Sequence, residues 1–152
     1  MCDRAMNKKN KTIISLYHDV STARRICNAG KQERIHGHNF RVHFFCDSTD
    51  GDLDDIGKLA DRDIIKNRLC KWLDKNWDYR LLVWNNDLVS RHLVEIDSES
   101  VVWTNFNPTT EKMAEYLVEE IGPNVLKGTF VELIKVVIEE TRNCSVEYEK
   151  IK

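Results

Sequence analysis

The sequence predicts an α+β domain in which two antiparallel hairpins form a four-stranded sheet with two helices on one face. Three observations carry this reading. Runs of extended, partly alternating apolar residues lie toward both ends of the chain, amphipathic stretches of helical period fill the middle, and a tight-turn signal at Arg142-Asn143 joins the last two strand runs. The order along the chain is strand, strand, helix, irregular segment, helix, strand, strand.

The first strand spans 12 to 22, where Ile13, Ile14, Leu16, Tyr17 and Val20 favour extended backbone. Asn28 and Gly30 then break the pattern in a loop or bulged crossing. The second strand runs from about 36 to 46. Its residues His36, His38, Phe40, Val42 and Phe44 share one parity, and Arg41, His43 and Phe45 share the other. A face that opens with two imidazoles and continues into three apolar side chains places a site at the end of a buried surface. The acidic stretch "DSTDGDLDDIG" lacks the spacing and terminal Glu of a calcium loop and reads as a solvated connection.

A helix follows over 58 to 73, with Leu59, Ile64, Ile65, Leu69 and Trp72 on its apolar side. "DYRLLVWNNDLV" reads as irregular chain with a short helical or extended piece, and 93 to 103 as short extended segments around a polar turn. "NPTTEKMAEYLVEEIG" carries the second helix: Thr109 or Thr110 caps it, Glu111 places negative charge in its first turn, and Gly122-Pro123 ends it. Two strands, about 128 to 140 and 144 to 150, complete the domain.

A chain of 152 residues suits one domain, expected over 12–152 after a flexible terminus at 1–11. The formal charge of -2 offers no general attraction to nucleic acid, and no segment approaches the roughly 20 apolar residues that span a bilayer. Five cysteines without a C-x-x-C pair fit reduced thiols in a cytoplasmic protein. A sheet with helices on one face leaves edges to be covered, so association of subunits is expected.

Four segments, in order, carry a resemblance. His36-Gly37-His38-Asn39-Phe40 is similar to the HGHN motif of the 6-pyruvoyl- and 6-carboxy-tetrahydropterin synthase family, members of the tunnelling fold. The run from Gly51 to Leu59 resembles that family's loop and helix start after the second strand, and Asn107-Pro108-Thr109-Thr110-Glu111 resembles its NPTxE segment. Glu140-Thr141 falls where the family has the glutamate that clamps the 2-amino and ring N–H groups of a guanine-like ring. The resemblance implies subunits assembled into a barrel, as a trimer or hexamer, with zinc held by the two histidines of the motif and a third histidine.

At catalytic positions the chain departs from the family. Arg24, in Ser21-Thr22-Ala23-Arg24-Arg25, takes the place of the third zinc ligand, and a guanidinium has no lone pair to offer a metal. The catalytic cysteine position falls near Gln32; Cys27 returns to it only by a looped excursion. Asp78-Tyr79 stands where the family has Asp-His, and a tyrosine of ordinary pKa is a poor neutral-pH base. The expectation is therefore no cofactor. Zinc, if held at all, would sit on His36 and His38, with Glu33 as the nearest substitute ligand, because His18 lies too far along its strand, His43 points to the other face and His92 has no placement.

The resemblance assigns Asp78, Tyr79, His36 and His38 to proton transfer, Glu140 to ring anchoring, and Thr109 and Glu111 to the ring-binding region. Arg24 is either an anion anchor or one half of an intrasheet salt bridge. Set beside these roles, His36 and His38 can cap a strand, Asp78 and Tyr79 can mark a turn, Thr109 and Glu111 can serve the helix start, and Trp77 and Trp84 can pack the core. The implied function is altered lyase, cyclase or isomerase chemistry on a pterin-like or related nitrogen heterocycle, a small molecule bound between subunits. A catalytically silent paralogue and an ordinary zinc-dependent synthase are the alternatives. No nucleic-acid or membrane partner is expected.

Overall fold

The computed structural model describes residues 11–151, so all but Lys11 of the expected flexible terminus lies outside the described residues. The hairpin strands form as the alternation requires. They are β1 (Ile14–Arg25), β2 (His36–Ser48), β5 (Val131–Thr141) and β6 (Cys144–Glu149). The sheet is larger than the expected four strands. Two short strands, β3 (Arg80–Trp84) and β4 (Val101–Thr104), join it in parallel, giving one mixed sheet in the order β4-β3-β1-β2-β5-β6. "RLLVW" and "VVWT" are near-continuous apolar runs, the pattern of parallel strands, and such runs carry no period that separates strand from helix.

There are three helices among the described residues instead of two. Helix α1 covers 62–76 and starts later than predicted, because the Asp61 carboxylate accepts the Asp63 N–H at 2.9 Å and caps it. Helix α2, at 88–96, replaces part of the segment expected to be extended; Asp87 caps it through the Val89 N–H and is itself ion-paired with Arg25 at the end of β1. Helix α3 covers 110–125 and runs through Gly122-Pro123, the predicted stop. A wide turn over Leu117–Ile121, with the Gly122 N–H reaching the Leu117 carbonyl, gives the proline ring room that a regular turn denies it.

One sheet face is apolar and covered. Val20, Phe40, Val42, Phe44, Val136 and Ile138 pack against Ile65, Leu69 and Leu73 of α1 and Met113, Leu117 and Ile121 of α3. Each such side chain stabilises the fold by about 1.5–3 kcal/mol. Trp77 is buried among them, in core packing. The opposite face is polar: Arg41 grips Asp19 at 2.8 and 3.0 Å with its guanidinium 4.3 Å from the Tyr17 ring centroid, and His43 meets Glu139 at 2.9 Å. Because β3 pairs with β1 only along 22–25, the rest of that edge is free within the described chain, as is the outer edge of β6. No helix among the described residues is long and apolar enough to cross a membrane.

Gly122 sits where α3 meets β5, and a Cβ there would come within 2.9 Å of the Leu133 Cβ. Gly122→Ala is expected to lower stability by about 1–3 kcal/mol through overpacking, read as a fall in the urea midpoint with an unchanged m-value.

Candidate active site

The row of core-facing residues becomes polar at one end of the sheet. There Arg24 of β1 lies opposite His36 of β2, Thr22 lies opposite His38, and β5 ends at Glu140 and Thr141. The start of α3 is drawn over this end by Asn107. Its side-chain amide accepts the Cys27 N–H at 2.9 Å and donates to the Cys27 carbonyl at 2.9 Å, as a neighbouring strand would. The backbone of Cys27 thus has a clear structural role. Thr109 then caps α3 by accepting the Lys112 N–H at 3.2 Å, and the next residue, Thr110, turns inward and is 3% exposed.

Arg24, Thr110, Glu140 and His38 meet there. The Arg24 guanidinium, 1% exposed, donates from Nη2 to Glu140 Oε1 at 3.0 Å and from Nη1 to the Thr110 hydroxyl at 2.9 Å and the Pro108 carbonyl at 3.2 Å. Thr110 in turn donates to Glu140 Oε2 at 2.5 Å, closing a ring of three side chains. His38 Nε2 lies 3.3 Å from Oε1 of Glu140, whose side chain is 19% exposed. Beneath Arg24 lies Phe40, its ring centroid 5.2 Å from the guanidinium carbon. Arg24 Nε is buried without a hydrogen-bond partner among the described residues. The guanidinium therefore meets its anion inside the chain, in the salt bridge that the sequence offered as the alternative to an external anion.

Burial alone would raise the Glu140 pKa, but the Thr110 hydrogen bond and the Arg24 charge outweigh it and hold the carboxyl below its ordinary 4.5. For His38, burial is the largest influence. Together with the Arg24 and His36 charges it exceeds the pull of Glu140, and the imidazole is held below its ordinary 6.5. A neutral His38 carries one ring N–H and one ring lone pair. His36 points Nδ1 at the Arg34 carbonyl, 2.7 Å away; a carbonyl only accepts, so Nδ1 carries a proton. The two rings stand edge to face at 5.4 Å.

This donor set does not fit the zinc that the resemblance implies. The third position of the cluster holds a buried cation whose charge opposes a dication, and His38 Nε2 is turned to a carboxylate already held by Arg24 and Thr110. No group of three His, Cys, Asp or Glu side chains among the described residues is arranged for a metal. The other histidines are engaged elsewhere: His18 bonds Asp74 at 2.6 Å, His43 bonds Glu139 on the opposite face, and His92 is exposed on α2.

Asp78 and Tyr79 form the turn between α1 and β3 and fasten it to β1. Asp78 Oδ1 accepts the Ser21 N–H at 2.9 Å, while Tyr79, at φ 55°, donates its backbone N–H to the Ser21 carbonyl at 2.7 Å. The Tyr79 side chain is 83% exposed and lines an open cleft with His38 and Asn39; Asp78 lines the adjoining groove with Glu140. Thr109 is the cap of α3 and Glu111 lies in its first turn. The residue that sequence reasoning passed over is Thr110. Its signal was the Thr-Thr pair after Pro108, in which one hydroxyl serves the cap and the next faces inward.

Comparisons with known proteins show what the sequence and the fold are similar to. The sequence model described as 6-pyruvoyl tetrahydropterin synthase matches residues 11–151. The 6-carboxy-5,6,7,8-tetrahydropterin synthase of Rickettsia typhi is 29% identical over 127 residues, covering 82% of this chain and 89% of the relative. Among solved structures, a protein from Wolinella succinogenes superposes with a TM-score of 0.78 at 17% identity, covering 92% of this chain and 98% of that one. The Plasmodium falciparum 6-pyruvoyl tetrahydropterin synthase gives 0.67 at 17% identity, covering 93% and 99%.

Removing one member of a buried ion pair strands the other. Glu140→Gln leaves Arg24 uncompensated and is expected to cost about 3 kcal/mol, whereas Arg24→Met combined with Glu140→Gln costs less than the sum of the two single changes in a double-mutant cycle of urea unfolding. Both depressed pKa values have the same sign of effect. Because the unfolded chain binds protons first, the stability they contribute is present at neutral pH and falls with acidification. The loss begins below 6.5 as His38 takes a proton and continues below 4.5 as Glu140 does. Thermal melts across pH 7 to 3 should show both stages, and His38→Gln should remove only the upper one.

Proposed function

The chain belongs to the 6-pyruvoyl tetrahydropterin synthase family, and from that premise we propose that it binds a pterin-like or related nitrogen heterocycle and acts on it by altered, zinc-independent lyase, cyclase or isomerase chemistry. The observation that carries this reading is the state of Glu140. It is an ionised carboxylate that stays partly exposed, held in place by Thr110 and Arg24. An anion so placed accepts N–H groups from the edge of a flat ring and orients it by charge-assisted hydrogen bonds.

In this reading the two imidazoles are the bases that take a proton from the bound ring or its substituent. Tyr79 at the cleft mouth is the phenol that returns one, and Asp78 holds the turn that presents it. Arg24 is a positioning residue: at 1% exposure it acts through Glu140, not on the ligand. Thr109 and Glu111 contribute by starting α3, which carries Thr110 inward. The free edges of β1 and β6 are the surfaces through which copies would join into a trimeric or hexameric barrel, bringing a neighbour over the open clefts. The closed ring of Arg24, Thr110 and Glu140 also favours a second reading, a binding protein without turnover, since part of the ring anchor's capacity is spent inside the chain.

Isothermal titration with biopterin, 7,8-dihydroneopterin and guanine, with cytosine as control, tests the proposal. Saturable binding of a bicyclic ring is expected. Glu140→Gln, studied well below its melting temperature, should weaken that binding about tenfold or more. Absence of binding to all three rings, or one tightly held zinc per chain by elemental analysis, would overturn it; product formation separates the altered enzyme from the silent binder.

A further inference from the structure

Charge is segregated along α1 and the loop that leads into it. Residues 50–63 carry six Asp against Lys58 and Arg62, a net charge of -4, whereas 64–76 carry Lys66, Arg68, Lys71 and Lys75 against Asp74 alone, a net charge of +3. Asp74 is itself engaged by His18 at 2.6 Å. The four cations of the second half are exposed and make no ion pair among the described residues. The same holds for Asp50, Asp52, Asp54 and Asp55 of the loop.

Both halves are held in shape. Asp54 Oδ1 accepts the Ile56 and Lys58 N–H groups at 3.0 and 2.7 Å, and Asp50 Oδ1 accepts the Asp52 N–H at 3.2 Å, so the loop is closed by its own carboxylates. In α1, the buried Ile65, Leu69 and Leu73 recur every four residues, a spacing that the wide turn over Lys66–Cys70 keeps on one side, and the cations take the other. The halves do not neutralise each other within one chain. At 1.5 Å per residue the helix is roughly 22 Å long, against a screening length of about 8 Å in physiological salt.

We propose that α1 and its acidic loop form a self-association surface, on which two copies set their α1 helices side by side and antiparallel so that the loop of each meets the basic half of the other. Charge complementarity selects this occupant. A two-fold axis makes the contact twice and neutralises both ends at once. A nucleic acid would be repelled by the loop while it met the cations, and an acidic protein would leave the loop unmatched. The surface is separate from the Glu140 cluster and from the free strand edges of β1 and β6. Exposed ion pairs are individually weak, so the association it supports is sensitive to salt.

Sedimentation velocity of the full chain reads this contact as a doubling of mass. Raising NaCl from about 50 mM to about 500 mM should weaken it about tenfold or more, while association through backbone bonds at strand edges persists. Lys71→Glu with Lys75→Glu should abolish the doubling, as should Asp52→Lys with Asp55→Lys. All four positions are exposed, and circular dichroism checks that both variants are folded. Mixing the two variants should restore the doubling, since the first is acidic at both ends and the second basic at both. The proposal is overturned by an absence of doubling at low salt, by a doubling that survives high salt or either pair of substitutions, or by two variants that do not associate when mixed. Salt-sensitive binding of the unaltered chain to heparin, without self-association, would assign the basic half to an external polyanion and overturn it as well.

Discussion

The buried pairing of Arg24 with Glu140 is the constraint from which the site end of this molecule follows. A guanidinium that is 1% exposed has lost its water and must be neutralised and hydrogen-bonded within the protein. The groups that do so come from residues 108, 110 and 140, far along the chain. Satisfying one cation therefore requires that the last turn of β1, the start of α3 and the end of β5 converge. Thr110 makes the arrangement cooperative, because its hydroxyl accepts from Arg24 and donates to Glu140.

The convergence is held by side chains that imitate backbone. Asn107 closes on both polar groups of Cys27, Asp78 takes the Ser21 N–H, and Asp87 caps α2 while pairing with Arg25. Each satisfies a backbone group near the point where the regular ladder runs out. The histidines sit on this braced end, where His38 is kept neutral by burial beside an ionised carboxylate. Two titratable groups with their protonation states separated by environment form a pair suited to orienting a ring and moving a proton. The same cation that organises the cluster makes it a poor home for a metal.

Charge is distributed differently on the two faces of the sheet. The helix-covered face confines it to this one end, whereas the open face carries Asp19, Arg41, His43, Glu139, Lys135 and Glu147 in exposed or half-exposed pairs. Surface pairs of this kind contribute little stability in water. Their regular opposition across the strands instead keeps an uncovered sheet face from presenting an apolar patch, and it leaves the free edges as the routes for association.

Much of the fold was legible from one-dimensional patterns. The parity of His36, His38, Phe40, Val42 and Phe44 is a local property of extended chain, and β2 obeys it. The final hairpin and the start of α3 followed from turn and capping chemistry that acts within a few residues. Tertiary structure decided what depends on distant partners: β3 and β4 became strands because β1 offered an edge, and α3 passed Pro123 because a wide turn accommodated the ring. Sequence alone established that residue 24 is a permanent cation, since residue chemistry is independent of folding, and the resemblance set that cation where the family has a metal ligand. Only the folded chain determined that Glu140 would neutralise that cation and that Thr110, not its capping neighbour, would bind both, because ion-pair geometry exists only after strands and helix have met.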